Sequence, residues 1–406
     1  MDPFAELPTE ILVDVVQKIP DLGSLHNFRS ASPAVASLIH GDGYAARITE
    51  SIISTYLPRE TREVVRTLAF VLWAPCSETR PLDSWSAFSD LYHILPIGHA
   101  APPVSEALPR NMPSSVLCRV LALSKHVHRI AHGCLHTLTG RLLSLRPRRP
   151  THPRFNYRRS SFWRSFDRDT RRPKPYEPPP RPPSEPAEPN ALLAGKATAP
   201  FSWIEEQAAL NGAWRLALVS VLHNYVDSPQ CTWPIEDEVK LKNLSPIEFW
   251  DFLIGSTSEG VMEYVRAVSE YIGSKSASSH LLSKQAGTTW NCCMAIQSAP
   301  NDGRLHDEGL FGQVSAGFSF FRDARSMPYS PLREVDFGIF RQYGFGFWAA
   351  QRMMALGLLP DPQTLQERFS GNWQNQEHSI FFAWHSILTA QELADLEDTQ
   401  RARWPI

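Results

Sequence analysis

Residues Leu7 to Leu25 read LPTEILVDVVQKIPDLGSL and decide how the rest of the chain is understood. Ile11, Leu12, Val15, Val16 and Ile19 recur at i, i+1, i+4, i+5 and i+8, the spacing of one apolar stripe on a helix. Pro8 suits the first turn, Glu10 favours a helix start, and Pro20 stops the run. Leu22, Leu25 and Phe28 then step by three through a second short helix. Ser32-Pro33 reads as an N-cap followed by a first-turn proline, and Gly41 as the C-cap of a third helix. A unit this small buries too little surface to stand alone, so its apolar face needs a cover.

Helical patterning continues beyond this unit. Ile48–Tyr56, Glu60–Trp73 and Ser114–Leu145 read as helices, with a proline-dotted loop over Leu95–Pro113. Between Arg146 and Pro200 the composition changes. RPRRPTHPRFNYRRSSFWRSFDRDTRRPK is arginine-rich, and PYEPPPRPPSEPAEP has proline at eight of fifteen positions. Such a segment cannot bury enough apolar surface to offset its ordering entropy, so disorder with polyproline II character is expected. From Phe201 helices resume. FSWIEEQAALNGAWRLALVSVLHNYV reads as a long amphipathic helix, and SPIEFWDFLI opens with the capping box Ser245…Glu248. Thr257–Ile272 is expected to end at Gly273, Gly346–Leu356 to precede Gly357, Glu377–Leu388 to carry an aromatic stripe, and Thr389…Glu392 to open a last helix. VSAGFSFF, from Val314 to Phe321, is the best strand candidate, with a loop as the alternative. The expected fold is mainly all-α: a three-helix unit over residues 1–42, a helical region over 43–145, an insert over 146–200 and a helical C-terminal domain over 201–406.

Composition excludes more than it assigns. A formal net charge of -2 gives no global field for nucleic acid or an anionic membrane, and no apolar run reaches the length of a membrane span. Six scattered cysteines without a C-x-x-C pair suit a reducing compartment, and the acidic MDPFAELPTE lacks the apolar core of a signal peptide. A cytoplasmic or nuclear protein is expected.

No catalytic constellation stands out. GQVSAG around Ser315 lacks the glycine that a nucleophile elbow needs two residues before the serine, where Gln313 stands. Gly344-Phe-Gly346 matches a loose dinucleotide pattern, but no β-branched strand precedes it, so helix-entry glycines are the simpler reading. His128, His132 and His136 lie at i, i+4 and i+8 with His126 nearby. Two such imidazoles can ligate zinc, yet no carboxylate or thiolate completes the site from nearby, though Cys134 is on the same helix, and a polar helix face is the simpler reading. No metal or cofactor is expected. Ten arginines between Arg146 and Arg172, interleaved with aromatics, could grip RNA by charge and stacking, but a solvated linker is the commoner role of a proline-broken basic tract.

Leu7-Pro8, Glu10-Ile11-Leu12, Val15-Val16, Ile19, Leu22, Leu25, Phe28 and the serines at 30 and 32 together resemble an F-box. Members of that family open with L-P-x-E-[IL]-L, continue through an apolar helix and a short L-x-x-L segment, and end in a third helix. That helix often carries an aromatic, commonly Trp, where SPAVASLI offers only Val35 and Leu38. The remainder is loosely similar to the C-terminal regions of F-box proteins of filamentous fungi, through IEEQAALNGAWRLALVSVL and RQYGFGFWAAQRM. The resemblance implies a non-catalytic adaptor whose N-terminal unit docks a Skp1-type protein, and through it a cullin, while the rest selects a target for ubiquitination. It assigns Skp1 contact to Leu7, Pro8, Ile11, Leu12, Val15, Val16, Ile19, Leu22, Leu25 and Phe28. Alternatives are a Skp1-bound protein acting without a cullin, or a nucleic-acid-associated protein using the Arg-rich insert.

Overall fold

The structure, a computed structural model, describes residues 2–41, 43–76, 82–92, 107–145, 200–254, 259–276, 315–326, 332, 334–359 and single positions between 384 and 398. The described residues are mainly helical and contain no strand. The insert over Arg146–Ala199 lies outside them, as do most of the expected loop over Leu95–Pro113 and most of the aromatic stripe over Glu377–Leu388. Two compact units result, the first formed by residues 1–135 with 201–313, the second by 136–200 with 314–406. The units therefore cut across the segments read from composition: chain on both sides of the insert contributes to the first.

In the first unit, α1 (Thr9–Gln17), α2 (Leu22–Ala31) and α3 (Pro33–His40) form the three-helix unit. Asp21 caps α2, accepting from Ser24 N–H at 2.7 Å. Ser32 caps α3 from Val35 N–H, with Pro33 in the first turn. Gly41 is the C-cap, though in extended rather than left-handed geometry (φ -71°). The segment before α1 adds a strap that the apolar pattern does not announce. Asp2 accepts from Ala34 N–H (2.9 Å) and from the Ser32 hydroxyl (2.7 Å), and the Phe4 ring meets Phe28 edge-on at 4.8 Å. A carboxylate at the start of α3 complements the helix dipole, and these bonds hold its pKa below the usual value.

Helices α4 (Tyr44–Tyr56) and α5 (Arg59–Trp73) follow. α1, α2 and α3 all pack on α4, whose Ile48, Ile52 and Ile53 are fully buried. Glu50 ties α4 to its surroundings, accepting from the Arg66 guanidinium, the Ser54 hydroxyl and Leu108 N–H. The remaining helices of this unit are α6 (Trp85–Tyr92), most of α7 (Ser114–Ser144), α8 (Trp203–Val226), α9 (Ile235–Asn243), α10 (Pro246–Ile254) and α11 (Glu259–Ser276).

α8 is the centre. The sequence suggests an amphipathic helix, but α8 is enclosed between α5 and α11 and buries polar as well as apolar positions. Glu205, Gln207, Asn211 and Arg215 are buried along with Leu210, Trp214, Leu218 and Leu222. Glu205, Asn211 and Arg215 find partners within the protein, whereas Gln207 Oε1 has none among the described residues. Ser202 and Glu205 form a reciprocal capping box, Asn211 Nδ2 donates to the Thr61 hydroxyl (3.1 Å), and Arg215 Nε donates to Asn211 Oδ1 (2.9 Å). Trp250 Nε1 donates to the Arg215 carbonyl, and the guanidinium lies 4.4 Å from the Trp250 ring centre.

The segments before and after the insert also meet at Leu82, whose carbonyl accepts from both Tyr225 and Trp233 at 2.8 Å. Trp85 meets Trp233 and Phe249 edge-on and lies tilted against Phe88. α11 runs through Gly273 to Ser276 rather than ending there. A helical glycine costs only about 1 kcal/mol, and Tyr271 seats its ring on Gly133 of α7, which favours another turn.

In the second unit, α12 (Ala316–Ser326), α13 (Gly338–Arg341) and α14 (Ala350–Ala355) are described. The strand expected over VSAGFSFF is replaced by α12 from Ala316 onward. Gly317, Phe318, Phe321 and Ala324 are its buried residues, a period of three to four that two-residue alternation cannot satisfy. Ser315 caps it from Phe318 N–H (3.1 Å) and donates to the Phe345 carbonyl. The helix expected from Gly346 begins only at Ala350. Residues 342–347 form turns instead, with Gly344 at φ +83° packed under the Trp348 ring. Gly357, at φ +71°, follows that helix in the left-handed conformation expected of a terminating glycine.

Candidate docking surface on the N-terminal helices

α1 has two apolar faces. Leu12, Val13 and Val16 point inward with exposures of 5% or less, packed where α1 meets α3 and α4. Ile11 and Val15 lie on the opposite side, 49% and 40% exposed, and Leu7, two residues before the helix, is 36% exposed. Spacing of four residues keeps Ile11 and Val15 on one stripe of α1, and Leu7 completes three exposed apolar side chains. They are half of the large hydrophobic side chains that the described residues expose.

The ten expected contact residues therefore divide. Leu7, Pro8, Ile11 and Val15 are exposed, Ile19 and Phe28 are half-buried, and Leu12, Val16, Leu22 and Leu25 lie in the interior of the chain. Phe28 is partly covered by Phe4. The last four hold the three-helix unit together and are closed to a partner in this arrangement. Periodicity signals an apolar position without saying which of two faces it serves. α3 offers little to a partner: Val35, Leu38 and Ile39 are buried, and its exposed positions include Pro33, Ser37 and His40.

At the N-terminal end of α2 the surroundings are ionisable. Asp21 Oδ1 lies 3.5 Å from His128 Nε2 on α7. Burial holds the His128 imidazole below its ordinary pKa, against the opposing pull of Asp21. Glu206, in the first turns of α8, is pushed up to about 7 by burial, then by the charges of Asp21 and Glu205. Since its folded pKa exceeds its unfolded one, this carboxyl favours the folded state at low pH, and that contribution is lost as pH rises from about 4.5 to 7. Glu206→Gln is expected to stabilise the protein at pH 8 by about 1 kcal/mol after solvent screening, and not at pH 4.5. Urea melts at the two pH values check this.

The histidine row of the sequence lies on α7. The His128 and His132 rings run nearly parallel, 6.4 Å between centres. Among the described residues no group of three His, Cys, Asp or Glu side chains is arranged to hold a metal ion, and no helix is long and apolar enough to cross a membrane. No protein-family model, curated protein or solved structure matches the chain.

Proposed function

We propose that this chain is a non-catalytic F-box adaptor: its N-terminal unit binds a Skp1-type protein, and through it a cullin, while the remaining helical regions recruit a protein target for ubiquitination. The observation that carries this reading is the exposed row Leu7, Ile11 and Val15. Ile11 and Val15 lie on a helix whose other face is already filled by the chain's own core, and Leu7 stands just ahead of it. An outward apolar stripe on a helix held rigid from behind suits helix-groove recognition, with branched side chains as anchors. The L-P-x-E-[IL]-L opening at Leu7–Leu12 coincides with this row.

The test is a double substitution, Ile11→Asp with Val15→Asp. Two lost anchors cost about 2 kcal/mol each, so Skp1 recovery should fall by roughly a thousandfold. Both positions are exposed, so the melting curve should stay within about 0.5 kcal/mol of the parent. Full recovery of Skp1 by the variant would sink the proposal. Cullin in the same pull-down separates a ligase adaptor from a Skp1-bound protein acting alone.

A further inference from the structure

The contact between α2 and α7 carries opposite chemistry at its two ends. At the Asp21 end a carboxylate faces His128, and α2 comes close: a Cβ built on Gly23 would lie 3.3 Å from the His128 ring. One turn further along α2 the acid is gone. The charges acting on His26 are those of Arg29 on its own helix and of Lys125 and His126 on α7, all of them cationic or able to become so. Nδ1 of His26 and Nη1 of Arg29 are closed to solvent and have no hydrogen-bond partner among the described residues. Buried polar atoms are nearly always satisfied, and each exception calls for a reason. Here a donor and a ring nitrogen go unmet in a field of one sign.

We infer that His26, Arg29, Lys125 and His126 form a binding site for a phosphate-class oxyanion, either free phosphate or the phosphoryl group of a small ester. His26 and Arg29 are half-buried while Lys125 and His126 are exposed, so an anion arriving from solvent meets the open cationic face first. Its oxygens supply the acceptor that Arg29 lacks, and its charge offsets the mutual repulsion of the cluster. Without it, burial followed by the three neighbouring charges holds the His26 pKa below its ordinary value. Binding and protonation of His26 are therefore linked: the anion raises the affinity of the ring for a proton, and the proton raises the affinity of the site for the anion. The bound anion would bridge α2 to α7, a contact separate from the outward row of α1.

The experiment uses the full chain. Thermal melts are recorded in increasing inorganic phosphate, in glycerol 2-phosphate, and in sodium chloride at matched ionic strength. Phosphate should raise the melting temperature saturably, by about 5 °C or more at a hundredfold excess over its dissociation constant. The rise should be lost in Arg29→Gln/Lys125→Gln and kept in Arg47→Gln, an exposed arginine on α4. An ester that matches free phosphate marks the site as open to phosphorylated ligands, and one that has no effect restricts it to the free ion. General salting-out would stabilise the parent and the double variant alike, and that outcome overturns the site. Should the double variant fail to fold, the wild type still decides: phosphate must raise the His26 titration midpoint, followed by NMR of the ring, by about 0.5–1 unit. An unmoved midpoint also overturns it.

Discussion

Gly212→Ala should destabilise the first unit by about 2–4 kcal/mol, although alanine is the better helix former by about 1 kcal/mol. Gly212 sits in the middle of α8, where α11 crosses closely. A Cβ there would lie 2.6 Å from the Tyr264 carbonyl oxygen, 2.9 Å from its carbon and 3.1 Å from Val268 Cγ2. The first two contacts are backbone, so no rotamer change relieves them, and the helices must separate by several tenths of an ångström. Because α8 is also held by α5 on its other side, that movement would loosen packing on both. Gly273→Ala provides the matched control. It lies near the end of α11, where a Cβ would meet no atom within 4 Å, so alanine should stabilise by up to about 1 kcal/mol. Denaturant melts of the two variants should shift in opposite directions. If both stabilise, the close approach of α8 and α11 does not exist in solution.

What can be read from the sequence follows from local chemistry. Caps and boxes at Ser32-Pro33, Ser245…Glu248 and Thr389…Glu392 are formed as expected, because each is written within four residues. What escapes depends on distant neighbours. Glu205, Asn211 and Arg215 look like the wet side of an amphipathic helix until α5 and α11 enclose them. VSAGFSFF alternates well enough for a strand, and only the burial of Phe318, Phe321 and Ala324 reveals a helical period. Asp2 and Phe4 carry no periodic signal, yet they fasten the chain start to α3 and α2. The candidate docking row is half legible. The pattern marks Leu7 through Ile19 as apolar, but separating Ile11 and Val15 from Leu12 and Val16 requires the position of α4.

Arg215→Ala should be the most damaging single change to a side chain in this core, at about 3–5 kcal/mol. Arg215 is 2% exposed, and its field is one of the influences that favour ionised Glu63 on α5. Burial already pushes the Glu63 carboxyl above its ordinary pKa, with Arg59 as the leading counterweight. Truncating Arg215 takes away part of that support, leaves Asn211 Oδ1 without its donor, and opens a cavity beside Trp250. Arg215→Met fills most of that volume and should cost less. The difference between the two substitutions then measures the cavity, and what remains in the methionine variant measures charge and hydrogen bonding. With the arginine gone, Glu63 rises further and its penalty falls on the ionised form. The methionine variant should therefore lose more stability at pH 8 than at pH 5, and Glu63→Gln added to it should remove that difference. A methionine variant as stable as the parent at both pH values would mean that Arg215 serves packing alone.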